Sequence, residues 1–175
     1  MIYEYHQFND EPHPYQYSRT YAQFEQDLKR LRRGDVIRMD DGWSGQFEAC
    51  RIARRHGVRV VLGIVPGYVD GIVTPMVTDE NVLPVYMTWE QLRQLSPHHE
   101  LANHTYAHQH LNGLSTEMIL NDLVKANMRI DEMTGVMPTS YLPTFNHVSH
   151  EIQQACKELY LKILDPVVIM YNTTP

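Results

Sequence analysis

The sequence predicts an α/β domain with a largely parallel sheet, and three features predict it. Short β-branched or apolar runs alternate with stretches of helical spacing along the chain. The run at residues 58–65 has the composition of a strand buried on both faces, the kind that a parallel sheet contains. Acidic and histidine clusters follow directly on strand-like segments, where α/β folds present ligand-facing side chains. One domain over residues 1–175 is expected, since that length builds a good core and does not divide comfortably in two.

The elements follow in order. Residues 2–8 open as a strand, and residues 11–17, with Pro12 and Pro14, read as a loop. Tyr21, Phe24, Leu28 and Leu31 stand at helical spacing, so a helix is expected over 21–33 with Gly34 as its stop. A short strand at 35–39 runs into Asp40-Asp41-Gly42-Trp43. Residues 47–55 read as a helix closed by Gly57, then comes the apolar strand, and 67–83 is irregular. Thr88 with Gln91 makes a capping-box pattern ahead of Leu92 and Leu95. A strand near 100–103 delivers His104 and His108. The clearest helix covers 115–134, with Ile119, Leu120, Leu123, Ile130 and Met133 on one side and Gly135 as its stop. Tyr141-Leu142 reads as a strand end, 149–159 as a helix, and 162–170 as a last strand interrupted by Pro166.

Composition narrows the class. At 43% hydrophobic and 21% charged residues the chain is an ordinary globular sequence, far from disorder. Its net charge of −6 and scattered basic residues argue against a nucleic-acid or anionic-membrane partner. The one basic cluster, Lys29, Arg30, Arg32 and Arg33, suits a helix end. The longest apolar run is too short to cross a bilayer, and the first residues lack the basic and apolar segments of a secretory signal. Cys50 and Cys156 fall in helix-like stretches and read as buried reduced thiols. A cytoplasmic location is therefore expected. An open sheet edge would favour a homo-oligomer, with a homodimer as the default.

The chemistry concentrates in two places. Asp40 and Asp41 end a strand before Gly42, and His104 and His108 stand four apart, a spacing at which one helical turn would project both imidazoles to one side. Asp41, His104 and His108 together suit zinc, with cobalt, nickel, iron or manganese as alternatives. Two histidines and one carboxylate leave positions open for water and substrate, as a catalytic centre needs. Asp40, beside the cation, would stay ionised and receive a proton from water, a chemistry that cleaves amides or esters. Two glycosylation patterns occur, at Asn103 and Asn172. A sugar on Asn103 would collide with the metal site, which argues against its use.

These motifs resemble the NodB-homology polysaccharide deacetylases, carbohydrate esterase family 4. Arg38-Met39-Asp40-Asp41-Gly42 is similar to the family's first motif, Thr-Phe-Asp-Asp-Gly, and His104-Thr105-Tyr106-Ala107-His108 matches its second, His-(Ser/Thr)-x-x-His. The resemblance implies a distorted (β/α) barrel and makes Asp40 the catalytic base, with Asp41, His104 and His108 as metal ligands. It implies a deacetylase acting on an N-acetylated sugar or polysaccharide. The chain holds material for five or six strands, so the barrel is expected to be abbreviated or open at its C-terminal end. Trp43, Tyr68, Tyr106 and Phe145 are candidates to stack on sugar, with Pro143 and Phe145 in the place of a groove wall.

The third motif departs from the family. Leu142 stands where an arginine ordinarily orients the catalytic aspartate; Arg19 or Arg38 could compensate from elsewhere. No histidine follows His150 in the place of the late general acid, and His147 and His150 are the substitutes nearest to hand. Two further readings follow: a catalytically weak carbohydrate- or metal-binding protein on the same fold, or a deacetylase of a small acetylated amide or ester.

Overall fold

The central strand, Val60–Ile64, is buried along its whole length, as its unbroken apolar sequence requires when both faces are covered. The computed structural model describes residues 1–13, 15–75, 84–165 and 168–170. In chain order the strands are β1 (Ile2–Tyr5), β2 (Gln7–Asn9), β3 (Ser18–Thr20), β4 (Val36–Met39), β5 (Val60–Ile64), β6 (Glu100–Asn103), β7 (Ser140–Tyr141), β8 (Lys162–Ile163) and β9 (Val168–Ile169). The main sheet has the order β8-β7-β6-β5-β4-β1-β9, with every neighbouring pair parallel. It curls, with helices packed around it, into a half-barrel open between β8 and β9. A separate parallel pair joins β2 to β3.

The barrel type, open at one end, agrees with the expectation, but among the described residues the sheet holds seven strands, against the expected five or six. The difference comes partly from the end of the chain, where 162–170 divides into β8 and β9, each two residues long. Pro166, residues 76–83 of the irregular stretch, Pro14 and the Asn172 pattern lie outside the described residues.

Six α-helices accompany the strands among the described residues: α1 (Tyr21–Leu28), α2 (Gln46–Arg55), α3 (Pro66–Val69), α4 (Trp89–Leu95), α5 (Thr116–Thr134) and α6 (His150–Glu158). The caps are those the sequence encodes. Thr88 and Gln91 bond reciprocally at the start of α4, and Ser115 accepts from the Met118 N–H at the start of α5, contacts worth about 1 kcal/mol each. Gly135 closes α5 in the left-handed conformation, with φ of 73°. Helix α1 ends at Leu28, earlier than its apolar spacing implied. There the Arg30 and Leu31 N–H groups turn back to Asp27 and Leu28, so the chain tightens and Leu31 still reaches the core. The basic run at 29–33 thus lies just beyond the helix.

Tyr5, Phe24, Ile37, Leu62 and Leu92 belong to the larger core; Ile119, Leu123, Tyr141 and Ile152 form a second one under α5 and α6. Both cysteines are buried and free. Among the described residues no helix is long and apolar enough to cross a membrane. With every strand of the main sheet pointing the same way, the segments after β1, β4, β6 and β7 converge at one end of the half-barrel.

Candidate active site and metal centre

Asp40 and Asp41 leave the end of β4, His104 leaves β6, and His108 follows in a loop. The spacing of four between the histidines is not helical. Thr105 and His108 have φ of 61° and 51°, and this backbone, instead of a helical turn, brings the two rings to 5.0 Å. Asp41 is left-handed as well, with φ of 74°. Among the described residues the non-glycine positions of positive φ are Asp41, Thr105, His108, Phe145, Asn146 and Tyr160; Asp41, His108, Phe145 and Asn146 line one cavity, and Thr105 directly follows His104, which also lines it. Strained backbone collects where side chains must be aimed.

Asp41 Oδ1 lies 3.3 Å from His104 Nε2 and 3.1 Å from His108 Nε2. Ligands about 2.0–2.1 Å from one tetrahedral ion stand roughly 3.3 Å apart, so these three atoms fit a single cation. Supporting contacts aim each of them. His104 Nδ1 is 2.7 Å from the Leu142 carbonyl, which can only accept, so the ring carries its proton there and turns the Nε2 lone pair inward. The Trp43 indole N–H donates to Asp41 Oδ2 at 3.0 Å, leaving Oδ1 for the histidines. Burial opposes charge on Asp41, yet the His104 and His108 rings beside it hold its carboxyl well below the usual range. Gly63 makes room on β5: a Cβ there would stand 2.9 Å from the Leu142 side chain and 3.2 Å from the His104 ring.

Asp40 is braced from its own strand. Arg38 donates to Asp40 Oδ2 at 2.6 Å, to Asn146 Oδ1 at 2.7 Å and to the Leu164 carbonyl at 2.7 Å. It also pairs with Glu4 at 2.8 Å, the residue opposite it in the ladder between β1 and β4. The guanidinium is fully buried, so it is tolerable only with such partners. Burial and the charge of Asp40 raise the Glu4 carboxyl above its usual range, against the pull of Arg38. Arg19, the other candidate brace, is engaged with Asp27 at 2.7 Å. Leu142 packs with Val61, Ala102 and Leu164.

A cavity of about 450 Å³ holds these groups together, lined by Asp40, Asp41, His104 and His108 with Trp43, Tyr68 and Phe145 among its walls. The size and mixed lining suit a small polar ligand. Of the other sequence candidates, Tyr106 and Pro143 are not among its lining residues. The Tyr106 ring faces the Lys125 ammonium at 3.6 Å, and Pro143 leads the turn Thr144–Asn146. Neither His147 nor His150 lines it. His6, which no sequence motif singles out, does. It follows β1, and its ring stands with Glu4 and Asp40, their ligand-type atoms all within 4.8 Å of one another. Those three could in principle hold an ion, but Arg38 already supplies the positive charge between the two carboxylates.

A curled parallel sheet with carboxylates and histidines gathered at the carboxyl ends of its strands is the layout of a (β/α)-barrel enzyme. The family model described as polysaccharide deacetylase matches residues 36–164, and the chain belongs to that family. Over 65 residues, 37% of this chain, it is 28% identical to the bifunctional xylanase/xylan deacetylase of Cellvibrio japonicus. The match covers 10% of that much longer protein. Among solved structures, the Streptococcus pyogenes deacetylase PplD in complex with acetate is similar over 98% of this chain and 92% of its own, with TM-score 0.78 and 11% identity. A pseudoenzyme of carbohydrate esterase family 4 from Bacillus anthracis, BA3943, is similar over 77% of this chain and 42% of its own, with TM-score 0.58 and 16% identity. At these identities the structural likenesses establish the fold.

Proposed function

We propose that the protein is a metal-dependent deacetylase that hydrolyses the acetyl group of an N-acetylated sugar unit in an oligo- or polysaccharide. The observation that carries this reading is the bond from Arg38 to Asp40 beside the Asp41, His104 and His108 cluster. A binding protein has no need of a base held by a buried guanidinium, so this contact favours catalysis over the weak-binding alternative.

Asp41, His104 and His108 would hold the metal, zinc being the first choice for this donor set. When bound, such an ion supplies Lewis acidity and lowers the pKa of a water. Arg38 occupies Asp40 Oδ2, while Oδ1 has no hydrogen-bond partner; Oδ1 is the atom that takes the proton as the water oxygen bonds to the acetyl carbon. The C–N bond then breaks, and the leaving nitrogen needs a proton. His6 is the histidine on the cavity wall outside the ligand set, and it donates that proton. Acetate and a free amine result. Trp43 keeps Asp41 in place, and Phe145, 42% exposed and stacked on His110 at 3.5 Å, offers a ring to the sugar.

The test is acetate release from a panel of N-acetylglucosamine oligomers, acetylated xylan oligomers and small acetamides, with zinc, cobalt or nickel supplied. Turnover confined to the N-acetylated sugars supports the proposal. Turnover only of xylan esters or small amides moves the substrate, and none across the panel refutes the activity.

A further inference from the structure

His104 and His108 are held in different ways. His104 directly follows β6, and the Leu142 carbonyl fixes its Nδ1 at 2.7 Å. His108 turns its Nε2 to Asp41 at 3.1 Å, but among the described residues no hydrogen bond reaches its Nδ1. A metal-binding histidine is ordinarily oriented through that second nitrogen. The Tyr68 and Phe145 rings stand 5.9 and 4.8 Å from the His108 ring, and the residue sits at φ of 51° in a segment without regular structure. The aim of His108 therefore depends on the backbone that carries it.

That backbone is tied to α5 on both sides of His108. Asp122 Oδ1 accepts the Tyr106 N–H at 2.9 Å, and Oδ2 accepts from the Gln109 side-chain amide at 2.9 Å. Each end has a second anchor on another element: the Gly67 N–H reaches the Tyr106 carbonyl at 2.9 Å, and the Thr144 hydroxyl reaches that of Gln109 at 3.2 Å. Asp122 is the group that both ends share. It stands on the longest helix of the described residues, a rigid support, and it does not line the catalytic cavity.

Resting on the metal-centre reading, we infer that Asp122 is a positioning residue that aims His108 at the ion by clamping the turn on either side of it. Zinc affinity would be measured by chelator competition on protein shown to be folded by circular dichroism. Asp122→Leu should bind zinc about 10- to 100-fold more weakly, the usual loss when the support of a ligand is removed. Asp122→Asn keeps an acceptor for Tyr106 and should stay within about threefold of the parent. Exposed Gln109 offers a change that leaves the packing alone, and Gln109→Ala should lose affinity about threefold or more. In a His108→Ala background, Asp122→Leu should have no further effect. Unchanged affinity in both Asp122→Leu and Gln109→Ala overturns the inference, as does an equal loss with His108 already removed. The His108 ring signals in NMR spectra of the metal-free protein give a reading that needs no ion: Asp122→Leu should shift them and leave those of His104 in place. If the parent protein binds no zinc, the metal-centre reading fails, and unmoved His108 signals would then overturn the clamp as well.

Discussion

The Arg38 guanidinium reaches Asp40 Oδ2 at 2.6 Å from only two residues away along the same strand end. Side chains two apart on a strand share a face, so the brace is built into the local geometry. Removing one partner of a buried ion cluster costs about 3–5 kcal/mol. Arg38→Met should therefore lower stability by that order in urea denaturation. Arg38→Lys keeps the charge but loses the fork that serves Asp40, Asn146 and Leu164 together. It should stay folded and retain metal while turnover drops at least about tenfold; unaltered turnover would mean that Asp40 needs no brace.

His6→Gln separates a proton donor from a merely structural residue. Loss of a general acid typically costs about 10²–10⁴-fold, but only where the leaving group needs a proton. Acetamide hydrolysis should fall steeply in this variant, while hydrolysis of an aryl acetate, whose leaving group departs unprotonated, should change little. Equal losses on both would remove His6 from the role.

Metal analysis by mass spectrometry should find about one zinc per chain after loading, in keeping with a single three-residue ligand set. His104→Ala/His108→Ala should bring it to background. An ion retained in that double variant would have to lie elsewhere.

The sequence carried the site further than the fold around it. Asp40, Asp41, His104 and His108 were legible because chain order and spacing preserve them. Their geometry was not, since left-handed Thr105 and His108 replace the helical turn that a spacing of four implies. Arg38 was visible as a candidate, and the period of a strand could have chosen it over Arg19. Its further partners, Glu4 across the ladder and Asn146 beyond β7, depend on strand order that one sequence does not spell out. His6 was hidden for the same reason: only the pairing of β1 with β4 carries it to Asp40. Tyr106 looked like a site residue through its place in the motif, but its backbone N–H bonds Asp122 and its ring turns to Lys125.

His99 gives the fold a pH dependence apart from catalysis. It is buried, with Nδ1 accepting the Val60 N–H at 3.2 Å, and burial lowers its pKa from the ordinary 6.5 to about 4. The unfolded chain therefore takes up this proton first as pH falls. Stability is full above about pH 6.5 and declines toward pH 4, by on the order of 3 kcal/mol from this residue. Urea midpoints measured across that range should fall less steeply in His99→Gln, which can still accept from Val60; identical slopes would assign the loss to other groups.

The most direct test is acetate release by Asp40→Asn with its metal content measured on the same sample. N-acetylglucosamine oligomers should be turned over at least about 100-fold more slowly while about one ion per chain remains bound. Undiminished turnover with the ion in place would contradict it, because the proton would then have another destination than Asp40.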